Sequence, residues 1–211
     1  MQVRLRDDIQ VQPGDMLERY LLLRNRHDGE GSVNIRFTPV RVVCNNTLTF
    51  AERSQAAFAS VRHTRNLARR LEEVRWDVLK REVDAFSIRT QQAFEAMTCL
   101  MLTAAARIEL LGEICGSVPK KHDPSRPTRR EAVEARLAAQ AVKDPLAGSE
   151  TAWALYNGIT WVEDARAMAG ASAETATERM WFGSGATKKA LAFDLLTRLA
   201  GGTSQGRRAS P

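Results

Sequence analysis

The string Arg41-Val42-Val43-Cys44-Asn45-Asn46-Thr47 is the most unusual in the chain, setting a thiol beside two amides and a hydroxyl directly after a basic, apolar run. Two chemistries suit it. Cys44, at a strand-to-helix turn, would be a nucleophile whose thiol is acidified by the free amides of a helix N-terminus. No base stands beside it in sequence. Alternatively, Asn45, Asn46 and Thr47 are anion hooks, because such amides also bind phosphate, with Arg36 or Arg41 supplying charge. A strand, a tight turn and an N-cap account for the same residues without chemistry. That plainer reading is preferred to the covalent one, and phosphate contact stays open.

His27-Asp28-Gly29 could supply an acid, a base or a ligand, but the three residues are also ordinary turn formers. His27, His63 and His122 are far apart, with no HExxH or His/Cys spacing, so no metal or other cofactor is expected. Gly183-Ser184-Gly185 ahead of Lys188 and Lys189 is similar to a phosphate loop but lacks the Walker spacing. A helix starting there would still bring both lysines to a phosphate backbone. Trp153, Tyr156, Trp161, Trp181 and Phe182 offer faces on which bases stack. More often rings at helical spacing are core, and Trp153 with Tyr156, three apart on a helix, fits that plainer view.

The chain has 31 Lys and Arg against 25 Asp and Glu, a net charge of +6 over 211 residues. Five basic side chains fall within residues 117–130 (Lys120, Lys121, Arg126, Arg129 and Arg130). This balance favours an anionic partner, although solubility alone explains a charge of that size. With 44% apolar and 27% charged residues, the composition excludes a collagen, a disulfide scaffold and a wholly disordered chain. The run from Ala96 to Ile114 is interrupted by Arg107, Glu109 and Glu113, so no membrane span is expected. Arg4, Arg6, Asp7 and Asp8 stand where a secretion signal would be apolar. Three scattered cysteines argue against a zinc ribbon and point to the reducing cytoplasm. Cys99 and Cys115 read as core fillers.

The elements that must position these groups begin with residues 16–23 and 33–43. In the second run Val33, Ile35 and Phe37 alternate with Asn34 and Arg36. The pair predicts a β-hairpin across a loop from Arg24 to Ser32, with Pro39 ending the second strand or marking an edge or bulge. Asn45 to Thr47 would cap a short helix over 48–53, and 57–63 would be another strand. Helix follows from Asn66. No Pro or Gly interrupts 65–111, so one long helix or two with a kink near Asp84–Ser87 is expected, with Asp77 and Arg81 paired. Thr103 caps a helix ending near Gly116. Three prolines make 117–129 a loop, and Thr128 caps a helix to Val142. After a turn from Lys143 to Gly148, Ser149 and Glu150 start a helix carrying Trp153, Tyr156 and Trp161. A last helix spans Ala186 to Ala200, and 201–211 has the composition of a disordered tail. The fold class is α+β: a small antiparallel N-terminal sheet packed by a mainly helical remainder. Residues 1–200 read as one domain, with 1–63 rich in β, 64–116 helical, 117–129 a basic loop and 130–200 helical.

Two blocks carry a resemblance. The first comprises Tyr20-Leu21-Leu22-Leu23, His27-Asp28-Gly29, Thr38 through Leu48, and Arg62-His63-Thr64. The second comprises Thr151-Ala152-Trp153, Tyr156-Asn157, Thr160-Trp161-Val162, Trp181 through Gly185, and Ala192-Phe193. Together they resemble the phage and plasmid proteins of the family called domain of unknown function 932, over nearly the whole chain to about residue 200. Typical members are longer at the N-terminus, so the chain is expected to begin partway into the domain and lack early strands. The resemblance implies a home on mobile genetic elements and no established activity. More distantly, a β-hairpin leading through a strand into a helix is similar to the core of single-strand-annealing recombination proteins.

That likeness implies a cytoplasmic, non-catalytic protein that binds nucleic acid, single-stranded DNA above all, in recombination or replication. Arg36, Arg41, Arg62 and Arg65 would meet phosphates, aided by Asn45, Asn46, Thr47, Lys188 and Lys189. The helices would join copies of the chain into a homo-oligomer. The rival expectations are a protein that binds a host protein, for instance as an anti-defence factor, and an enzyme centred on His27, Asp28 and Cys44.

Overall fold

A computed structural model describes residues 2–24, 32–41, 46–47, 58–62, 64–118, 121–143 and 150–208. It is an α+β protein with two compact units, one within residues 1–92 and the other from 93 onward.

The first unit is built on β3 (Asp15–Arg24) and β4 (Ser32–Arg41), the predicted hairpin, paired antiparallel from Leu17↔Arg41 to Arg24↔Asn34. Two short strands share the outer edge of β3. β1 (Gln2–Arg4) pairs with Tyr20–Leu22, and β2 (Ile9–Gln12) pairs with Asp15–Leu17. Two more share the outer edge of β4. β6 (Phe58–Arg62) covers Ser32–Arg36, and β5 (Asn46–Thr47) covers Val40 and Arg41. Phe37, Thr38 and Pro39 lie between those two partners. The N–H that Pro39 lacks therefore costs no ladder bond on that edge among the described residues. Gly14, at φ 83°, closes the β2–β3 turn after Pro13 in a conformation open chiefly to glycine.

Asn46 and Thr47 form strand rather than a helix cap, because pairing with Arg41 and Val40 claims their backbone. The helix expected over 48–53 lies outside the described residues.

One face of the sheet buries Ile9, Val11, Leu17, Val33, Ile35 and Val61. α1 (Leu67–Glu72) and α2 (Trp76–Cys99) follow. In α2, Leu79, Val83 and Phe86 recur at the spacing of one helical face and are all buried. Arg19 joins the two layers. It lies on the buried face of β3, and its Nη1 donates to Asp84 Oδ1 at 3.2 Å and to Ser87 Oγ at 3.1 Å on α2. Its Nη2 donates to the Arg6 carbonyl. Neither expected form of this segment is found: it is not one long helix, and it does not break near Asp84–Ser87. The chain bends instead at 73–75 and 100–103, and Ser87 is held inside the helix by donating to the Val83 carbonyl at 2.8 Å. The Asp77–Arg81 pair forms at 3.4 Å.

The second unit is helical. α3 (Ala104–Cys115) starts at Thr103, whose hydroxyl accepts from the Ala106 N–H, and stops at Gly116, φ 73°. α4 (Arg129–Lys143) opens with a capping box. The Thr128 N–H donates to Glu131 Oε2 at 2.8 Å, and the Glu131 N–H donates to Thr128 Oγ1 at 3.2 Å. α5 (Ala152–Met168) is capped by Thr151 rather than Ser149 and is buried on nearly all sides. An extended segment at 100–102 pairs with its start, the Ala152 N–H donating to the Leu100 carbonyl at 2.8 Å. α6 (Ala173–Phe182), unforeseen from the sequence, and α7 (Ser184–Arg208) complete the unit. Phe94, at the end of α2, meets Trp153 at 4.6 Å, Phe193 at 5.7 Å and Tyr156 at 5.8 Å between ring centroids. These rings form the core that the Trp153–Tyr156 spacing suggested. Cys99 is exposed and Cys115 half-buried, so Cys99 fills no core. α7 runs on to Arg208, into the segment whose composition reads as a tail. Extending a formed helix adds one hydrogen bond per residue fixed, and no Pro stands before Pro211.

Candidate nucleic-acid interface

Antiparallel register decides which arginines can act together, because residues paired across strands share a face. Leu17, Arg19, Leu21 and Leu23 of β3 share the helix-covered face with their partners Arg41, Pro39, Phe37 and Ile35. The alternate residues Glu18, Tyr20, Leu22 and Arg24 share the opposite face with Val40, Thr38, Arg36 and Asn34. β6 adds Phe58, Ser60 and Arg62 to that second face, and β1 adds Arg4.

Arg24, Arg36 and Arg62 thus occupy three successive rows on three adjacent strands. Arg24 and Arg36 are diagonal neighbours, roughly 7–8 Å apart at this kind of position. Arg62 stands two rows from Arg36 on the next strand, a span of roughly 14 Å. Arg62 is exposed, and so is Arg65 in the turn that follows. Among the described residues no carboxylate lies within ion-pair distance of either. Arg69 and Arg70 continue the exposed basic run on α1, with Arg69 paired to Glu73 at 2.9 Å.

Arg4 is of a different kind. It lies 3.2 Å from Asp8 and 3.0 Å from Glu18, so its charge is balanced locally. Glu18 also accepts from the Tyr20 hydroxyl. That bond, with burial and the carboxylate charge, holds the phenol above its ordinary pKa.

Other expected site residues are dispersed. Arg41 pairs with Leu17 and Asn46 with Arg41, which puts both on the helix-covered face, away from Arg36. Thr47 pairs with Val40 and shares the face of Arg36. Lys188 and Lys189 are spent inside the helical unit. Lys188 Nζ donates to the Ile114 and Cys115 carbonyls, each at 3.1 Å. Lys189 is fully buried and donates to Asp164 Oδ1 at 2.7 Å and to the Met180 carbonyl at 3.1 Å. A buried ammonium paired with a carboxylate cannot reach a phosphate backbone, so Lys189 is removed from the interface. His27, Asp28, Cys44 and Asn45 lie outside the described residues. In the sequence Arg24 reads as the start of a turn. Its place beside Arg36 shows only once the register is fixed.

A family model, Domain of unknown function (DUF932), matches residues 1–181. The chain belongs to this family. No curated protein and no solved structure matches it. The description of DUF932 carries no activity, so the function of this member must be argued from its own groups. No helix among the described residues of the DUF932 chain is long and apolar enough to cross a membrane.

Proposed function

We propose that the chain is a cytoplasmic, non-catalytic protein that binds single-stranded DNA on the face of its N-terminal sheet that carries Arg36 and Arg62. The observation that supports this reading is the register that gathers Arg24, Arg36 and Arg62 on one face, continued by Arg65 on the following turn. A row of basic residues spaced along one face is the kind of charge distribution that attracts a polyanion. Contact through guanidinium groups to the phosphate backbone leaves base edges free to pair. That is what an annealing role in recombination or replication on a mobile element requires. In this reading the helices join copies of the chain into an oligomer.

The test is fluorescence anisotropy of a labelled oligothymidine and of a duplex of the same length, at about 50 and 200 mM salt. Tighter binding to the single strand, weakening steeply with salt, supports the reading. Absence of binding to either at the lower salt ends it and leaves capture of a host protein as the rival.

A further inference from the structure

The helical unit contains a pocket of about 240 Å³ where the end of α3, the loop after it, the start of α4 and the end of α5 meet. Among the described residues its lining carries three arginines, Arg129 and Arg130 from α4 and Arg166 from the last turn of α5, together with His122 from the loop. No acidic residue is among its described lining residues. Three carboxylates in its surroundings are engaged, Asp123 by the Ser125 N–H and hydroxyl. Glu163 Oε1 accepts from Arg129 Nε at 2.9 Å, and Glu131 is bound into the capping box. Arg130 and Arg166 are exposed and have no carboxylate within ion-pair distance among the described residues. Arg130 and Arg166 therefore line a concave site without an ion-pair partner among the described residues, the Glu131 carboxylate acting on Arg130 and His122 only at longer range. The capping box leaves the Arg129 and Arg130 amides without an acceptor among the described residues, which adds donors of the same sign. The rest of the wall is apolar: Leu111, Val118 and Pro127. Cys115 lies in the same wall, its thiol pushed above its ordinary pKa by burial.

From this arrangement we propose that the pocket binds a phosphomonoester, with the phosphate between Arg130 and Arg166 and an organic portion against the apolar wall. Planar guanidinium groups suit a doubly charged phosphate, and the volume admits one small ligand rather than a chain. The group could belong to a free mononucleotide or to the terminal phosphate of a strand. The proposal does not rest on the sheet face.

The experiment uses the whole chain carrying Cys44→Ser and Cys99→Ser, which leaves Cys115 as the sole thiol. Thymidine 5′-monophosphate, inorganic phosphate and thymidine are titrated by calorimetry, and the rate of Cys115 alkylation is followed with each. The monophosphate and inorganic phosphate should bind and thymidine should not. Alkylation should slow about threefold at saturation with the monophosphate, since the thiol lines the site. Arg130→Ala and Arg166→Ala should each raise Kd about tenfold without lowering Tm, because both side chains are exposed. A 5′-phosphorylated oligothymidine that protects Cys115 where its 5′-hydroxyl counterpart does not assigns the ligand to strand ends. Protection by the mononucleotide alone assigns it to free nucleotides. The proposal is overturned if the wild-type chain gives no binding up to about 10 mM monophosphate, or if binding neither protects Cys115 nor responds to either substitution. The sheet variants Arg36→Ala and Arg62→Ala should leave these readouts unchanged, so either reading can fail without the other.

Discussion

Lys189 Nζ lies 2.7 Å from Asp164 Oδ1, with the lysine wholly and the aspartate almost wholly removed from solvent. Burial pulls the lysine pKa down while the Asp164 charge pulls it back up. Opposed terms of this kind make a buried pair costly to break from one side and less costly to replace as a whole. Lys189→Met should therefore destabilise the protein by about 3–5 kcal/mol in urea denaturation. Adding Asp164→Leu should recover part of that loss. A single substitution costing less than the double would contradict a paired, charged interior.

Arg19 ties the sheet to α2, but unequally. Its own side chain is nearly buried, whereas Asp84 is half exposed. Asp84→Asn should cost less than about 1 kcal/mol, since a solvent-screened partner contributes little. Arg19→Ala should cost roughly 1–3 kcal/mol, because Ser87 and the Arg6 carbonyl lose a donor and the aliphatic stem is lost from the layer. Denaturant midpoints of the two variants check the order.

The Thr128–Glu131 capping box predicts a pH signature for α4. The Thr128 N–H, then its hydroxyl, hold the Glu131 carboxyl below its ordinary value. With the folded pKa lower than the unfolded one, the unfolded chain binds more protons in between, and stability rises with pH there. The contribution is complete above the ordinary value of 4.5 and is lost as pH falls through the lowered one. The Tm difference between the native protein and Glu131→Gln should be constant near neutrality and close below that value. Thr128→Ala should cost about 1 kcal/mol at neutral pH.

If a DNA strand lies on the sheet, the salt dependence should single out particular arginines. Arg36→Ala and Arg62→Ala should each reduce the slope of log K against log salt by roughly 0.7 for a single strand. Arg41→Ala should leave the slope unchanged, because the register sets Arg41 on the other face. Equal effects at all three positions would refute the face assignment.

What the sequence revealed follows from where periodicity is strong. Val33, Ile35 and Phe37 alternate over enough residues to define β4, and Thr103, Gly116 and Thr128 mark helix ends by cap chemistry alone. β1 and β2 are too short for alternation to register, and Pro13-Gly14 is the sole local sign of their turn with β3. The halts at 73–75 and 100–103 contain neither Gly nor Pro. The second is set by pairing with 150–152, a contact some fifty positions away that no local pattern encodes. α6 has only two buried residues, Ala176 and Trp181, so it shows little apolar stripe. Lys189 looks like a surface residue because its partner, Asp164, comes from another helix. The arginine cluster was half legible. Arg36 and Arg62 carried the right charge, but their grouping with Arg24 and not Arg41 depends on a pairing register.

Among the described residues, the two long strands of the hairpin are each flanked by two short segments rather than one full-length neighbour. Peeling away any one of these short segments bares only half of a border, while the Asp15–Arg24 and Ser32–Arg41 ladder stays closed. A foreign chain seeking to extend the sheet meets outermost segments of two to five residues, too short to template continuous pairing. A sheet bordered in this way resists stacking into fibrils with its own copies.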